Sequence, residues 1–166
     1  MTDDELKNLF YDFWSTEITT CQLINAMQSA PRPEKPYATV DLVLTTPEGQ
    51  RDEQLGIVDS GSPTTMQIRG FRKALLQINI FGDEANEVVE SVRQSLSKET
   101  VLDEYFRDNQ VAVVSVSAAR DLSFLLETKF ERRLFLEIAL RYGQEYTDDV
   151  GAIQTVIVNA DEYNLE

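Results

Sequence analysis

Apolar residues recur along this chain with two different periods, and the switches between them divide it into elements. Leu6, Leu9, Phe10, Phe13 and Trp14 follow one another at steps of three and four, the spacing that places side chains on one helical face. With Thr2 and Glu5 spaced as a capping box, they predict a first helix over residues 3 to 15. Its apolar stripe needs a cover, either the core of its own subunit or the groove of a neighbour. Thr19 to Met27 has no decisive period, so its form stays open. Ala30-Pro31-Arg32-Pro33-Glu34-Lys35-Pro36 then breaks regular structure, because proline removes donors and favours extended backbone.

Period two takes over at Tyr37. In YATVDLVLTT, Ala38, Val40, Leu42 and Leu44 fall on one side and predict a strand over Tyr37 to Thr46 with one buried face. Pro47-Glu48-Gly49-Gln50 reads as a turn. The polar segment Arg51 to Pro63, with Gly56 and Gly61, reads as a long loop or a ragged hairpin arm. Over residues 66 to 81, Met66, Ile68, Ala74, Leu76, Ile78 and Ile80 share one parity, and Gln67, Arg69, Lys73, Gln77 and Asn79 share the other. That predicts a half-buried strand about 50 Å long, with Gly70 marking a bulge or bend.

Gly82-Asp83 ends this strand and opens a central helix, with Asp83 as N-cap and Glu84 and Glu87 near its positive end. Ala85, Val88, Val89, Val92 and Leu96 form its inner face. A shorter amphipathic stretch follows from Val101 to Phe106, then a valine-rich strand from Gln110 to Val116, then a loop or helical turn at Ala119-Arg120-Asp121-Leu122. A second long strand is predicted from Phe130 to Tyr142, with Leu134, Leu136, Ile138 and Leu140 facing one way and Arg133, Glu137 and Arg141 the other. The polar connection GQEYTDDVGA leads to a closing strand, Ile153 to Asn159. The expected fold is one α+β domain over residues 1–166. It has a mostly antiparallel β-sheet with long strands or hairpin arms, packed by the N-terminal helix and the central amphipathic helix.

Composition then removes most chemistry. A chain of 166 residues, 42 % hydrophobic, can bury a core without disulfides or metals. Its aliphatic bursts are too short to cross a membrane. The acidic opening MTDDELKNLF lacks the basic residues of an export signal, so the chain is expected to stay in the cytoplasm where it is made. There is no histidine, which excludes Ser–His–Asp and Cys–His hydrolases and histidine-ligated zinc. Cys21 is the single cysteine and reads as a small buried thiol. Asp148-Asp149 lacks the spaced ligands of a calcium loop, and Gly49, Gly56 and Gly61 do not form a phosphate loop. No catalytic residue, metal or cofactor is expected.

Charge points toward assembly. With 29 acids against 15 bases the formal charge is −14, which repels phosphate and argues against sequence-specific nucleic-acid binding. The acidity serves either solubility or a surface past which nucleic acid slides without sticking. Residues 66 to 81 contain no acid, so Arg69, Arg72 and Lys73 form a basic strip. That strip is either a solvated sheet face or an interface meeting an acidic surface of another copy. Arg133, Glu137 and Arg141 on the second long strand extend the candidate oligomer interface.

Three stretches, taken together and in order, carry a resemblance: APRPEKPYATVDLVL, QINIFGDEANEVVESVRQSL and ARDLSFLLETKFERRLFLEIALRYGQEYTDDVGAIQTVIV. The chain resembles the neck and tail-terminator proteins of long-tailed bacteriophages. The resemblance implies a structural virion protein that forms a ring, commonly a hexamer, at the head-proximal end of the tail. Such a ring ends polymerisation of the tail tube protein, offers a docking surface to the head–tail connector, and adjoins the sheath protein where the tail is contractile. Genomic double-stranded DNA passes through its lumen without sequence-specific contacts. Two other classes remain open on the sequence: a different phage structural part, such as a tube subunit or head-completion protein, and an unrelated acidic binding domain.

Overall fold

The structure, a computed structural model, describes residues 1–58, 65–126 and 129–149. Helix α1 (Asp3–Glu17) opens with the capping box: the Thr2 side chain accepts from Glu5 N–H, and the Glu5 carboxylate accepts from Thr2 N–H. It is covered at home. Leu6, Phe10, Phe13 and Trp14 are buried in the subunit's own core, and each such side chain contributes on the order of 2 kcal/mol. The buried Trp14 indole donates to the Cys21 carbonyl at 2.7 Å. Cys21 itself is buried, and burial pushes its thiol up to about 12, so it stays protonated at neutral pH.

The segment whose form was open becomes strand β1 (Gln22–Asn25), paired parallel to the start of β2 (Tyr37–Val58). β2 pairs antiparallel with β3 (Thr65–Phe81), and β3 pairs antiparallel with β8 (Arg133–Asp149) without a register break. β4 (Val111–Val116) and β5 (Arg120–Asp121) lie on the outer edge of β8, which gives the sheet order β1-β2-β3-β8-β4. Helix α2 (Ala85–Ser95), the short α3 (Glu99–Val101) and a π-helical turn (Leu102–Arg107) join α1 over the face of Val40, Ala74, Leu76, Ile78, Ile80, Leu136 and Ile138. The result is the expected α+β sandwich. Its central helix lies over one side of the sheet.

Several expectations need correction. Pro47 to Gln50 is not a turn between elements, and of the two forms open for Arg51 to Pro63, Arg51 to Val58 takes the hairpin arm and not the loop. β2 runs through both as one arm of a long hairpin with β3, and only residues 59–63 of the expected loop lie outside the described residues. Likewise Gly143 to Asp149 is strand, paired with β3 to its far end, so the polar composition reflects a ribbon with neither face in the core. The strand expected from Phe130 breaks at Arg132, leaving a small hairpin of β6 (Phe124–Leu126) and β7 (Lys129–Glu131). The Ala119–Leu122 turn contributes β5, because the edge of β8 beyond β4 leaves backbone groups to pair. Asp83 does not cap α2: Glu84 holds that position without a side-chain bond, since Gly82 at φ +126° turns the chain one residue later. Leu44 leaves the buried parity, because β2 shifts register between Leu42 and Leu44 and sets Leu44 opposite Leu75. The closing strand expected at Ile153 to Asn159 lies outside the described residues.

Candidate assembly interface

The face of the sheet turned away from the helices has no second layer among the described residues. Alternation along β3 and β8 places Arg69, Phe71, Lys73, Leu75 and Gln77 there, beside Glu145, Arg141, Ala139 and Glu137. Across its middle runs an apolar row: Leu44, 50 % exposed, opposite Leu75, itself opposite Ala139, with Phe71 (42 % exposed) two same-face steps along β3, beyond Lys73. Charged residues flank the row. Lys73 and Arg141 sit directly opposite each other, an arrangement that would repel. Glu48 from β2 resolves it by pairing with both, at 3.2 Å to Lys73 Nζ. Arg141 also lies over the Phe71 ring, 4.6 Å from its centroid. On the other flank Glu137 accepts from Arg120 at 3.0 Å and from Gln77 at 3.2 Å, and Arg133 donates to Asn79 Oδ1. These pairs leave the cations substantially in solvent, where an ion pair contributes little and a partner is readily exchanged.

Arg72 has the opposite parity and lies on the helix side, at the base of the arm. Between Glu48 and Glu53 β2 bulges, and the bulge carries the Asp52 carboxylate back over β3. Arg72 donates to it with both terminal nitrogens, at 2.8 and 2.7 Å, and the Tyr146 hydroxyl donates to it at 3.1 Å. The hydrogen bonds from Arg72 hold the Asp52 carboxyl below the usual carboxylate range, and the same pair raises Arg72. A depressed carboxyl contributes stability above its unfolded value and loses it as pH falls through the folded value, so this contact persists through mildly acidic conditions. Gly70 makes the room: a Cβ there would sit 2.1 Å from Asp52 Oδ1 and 2.4 Å from Arg72 Nη1. The glycine thus marks a bulge in the partner strand, not in its own.

The opposite end of the long strands carries a different surface. In the β6–β7 hairpin Leu125 and Phe130 are paired residues, each 68 % exposed, with Phe124 and Leu122 also exposed nearby. Exposed clusters of this kind mark contacts with other macromolecules. Around the base of the arm, a groove of about 800 Å³ between α1, the π turn and β8 is lined by Met1 and by the acids Glu5, Asp12, Glu104, Asp108 and Glu145. No group of three or more histidine, cysteine or acidic residues among the described residues is arranged to hold a metal. No helix among them is long and apolar enough to cross a membrane.

Residues 4–164 match the family described as phage neck terminator protein. The chain belongs to that family. It is therefore a structural component of the phage neck, and the family covers almost the whole chain. No curated protein matches it.

Of the six residues that the sequence singled out, Arg69, Lys73, Arg133, Glu137 and Arg141 come together on the face that has no second layer among the described residues, and Arg72 does not. Parity in residues 66 to 81 already separates Arg72 from Arg69 and Lys73. Asp52, Glu48, Glu145 and Tyr146 were missed, since their roles depend on the β2 bulge and on strand register, which leave no periodic trace. The apolar hairpin was missed as well, although FLL and KF flanking the short polar pair Glu127-Thr128 are a sequence signal for one.

Proposed function

We propose that this neck terminator protein closes the head-proximal end of the tail tube as a homomeric ring, a hexamer as the family resemblance implies. The ring ends tube polymerisation and presents a docking surface to the head–tail connector, and to the sheath where the tail contracts. The observation that carries this reading is the one-sided sheet: helices bury one face, while the other is half apolar and bordered by exposed ion pairs. A subunit built this way is completed by another chain. The strands also end in unlike features, a polar three-stranded arm and an apolar hairpin, as suits a part that joins two different neighbours. Arg69, Lys73, Arg133, Glu137 and Arg141 belong to the subunit interface, and acidic surfaces such as the groove beside α1 face the channel, where they let DNA pass without releasing counterions.

Electron microscopy of the purified protein, alone and added to assembling tube subunits, tests the reading. The expected result is a short ring, with tubes that stop growing and carry one cap. Long cylinders from this protein alone mean a tube subunit. Isolated molecules that neither shorten nor cap tubes mean an unrelated binding domain.

A further inference from the structure

The sheet face without a second layer among the described residues needs a surface to receive it. The geometry points to the outer ridge of helix α2 on a second copy of this chain. α2 lies over β3 and β8 on the helical side of the sheet, opposite the open face. The two surfaces are therefore on opposite sides of one two-layer subunit. A contact between opposite sides is heterologous and passes from copy to copy, and it closes a ring when the rotation from one copy to the next divides the circle. Two identical open faces meeting each other would instead stop at a dimer.

Charge chooses the same pairing. The outward side of α2 exposes Glu84, Asn86, Glu87, Glu90 and Gln94 and no large apolar residue. Among them Glu90 is paired with Arg93, a neighbour on the same helix at 2.8 Å. The open face exposes Lys73 and Arg120, whose side chains are 58 % and 63 % exposed, on either flank of the apolar row. Both already hold carboxylates of their own subunit, Glu48 and Glu137, in surface pairs of small worth. The acidic ridge of the next copy adds a second set of acceptors to these cations. Leu44, Leu75 and Phe71 pack beneath it on the aliphatic stems of the glutamates and Gln94. The cations then fix register while the apolar row is removed from water.

Two complementary variants test this assignment, which rests on the terminator reading. One carries Lys73→Glu with Arg120→Glu, and the other Glu87→Lys with Glu90→Lys; thermal melting confirms that each folds. Each alone is expected to lose ring formation by about tenfold or more, because like charges face one another. Mixed in equal amounts they are expected to regain rings in which the two alternate, since every contact then joins opposite charges. Rings of wild-type abundance from either variant alone overturn the surface assignment and leave the terminator reading standing. So does a mixture of folded variants that stays dissociated while wild-type chains form rings. Wild-type chains that form no ring, alone or on tube ends, overturn both.

Discussion

Gly70→Val is expected to leave the melting of the core almost unchanged while loosening the arm and abolishing ring formation. Valine has the higher strand propensity, so local preference alone would expect a more stable strand. The structure expects the reverse, because any Cβ at this position falls at 2.1 Å from Asp52 Oδ1 and within 2.4 Å of Arg72 Nη1. The carboxylate has to leave, and with it go its two bonds from Arg72 and its bond from Tyr146. The β2 bulge then loses these side-chain bonds to β3 at the base of the arm. Limited proteolysis of the arm is expected to speed up about tenfold, as for a segment that opens locally without global unfolding. Asp52→Asn, which keeps the shape and removes the charge, is expected to give a milder form of the same change. Unchanged arm cleavage and unchanged rings in Gly70→Val would show that Asp52 does not set the arm.

Phe10→Ala is expected to cost about 3–5 kcal/mol, the usual penalty for emptying a large buried aromatic site. Phe10 is fully buried, with ring centroids 5.5 Å from Phe13 and 6.1 Å from Trp14. For a domain of this size that loss lowers the melting temperature by roughly 10 °C or more. The effect should be the same at every protein concentration, because α1 packs within its own subunit. A loss that disappears on dilution would mean that α1 is held by a neighbour. Trp14→Phe adds a distinct check: it leaves the buried Cys21 carbonyl without its donor, at a cost of about 1–3 kcal/mol.

What could be read from the sequence was what depends on periodicity. The stripe of α1, the two parities of β3 and β8, the inner face of α2 and its charged outer face all follow from spacing, and each lies where the spacing puts it. Where the chain leaves the core the signal fails. Arg51 to Val58 and Gly143 to Asp149 show no clean alternation, and no residue from Gly143 to Asp149 is buried, so nothing selects apolar residues at alternate positions there. Strand pairing alone makes them strands. The interface residues were found in part for the same reason. Lys73, Arg133, Glu137 and Arg141 declare themselves as the polar parity of a half-buried strand. Glu48 and Asp52 reach their partners only through register shifts in β2. Leu44 was assigned to the wrong face by a single extra residue, Val43, which reverses alternation beyond it.

The charge pattern gives the acidic composition a place in this account. α2 carries acids outward while the open sheet face carries the exposed cations Lys73 and Arg120 among others, so net charge and its distribution serve different ends. The first keeps phosphate at a distance, and the second orients one subunit on the next.

Weighing the intact assembly by native mass spectrometry goes straight to whether half-covered subunits of this kind close upon one another. The account requires one discrete species, a fixed whole-number multiple of the chain, formed alone or on addition of tube ends. A single-chain mass under both conditions, or an unbroken ladder of ever larger multiples, would contradict it.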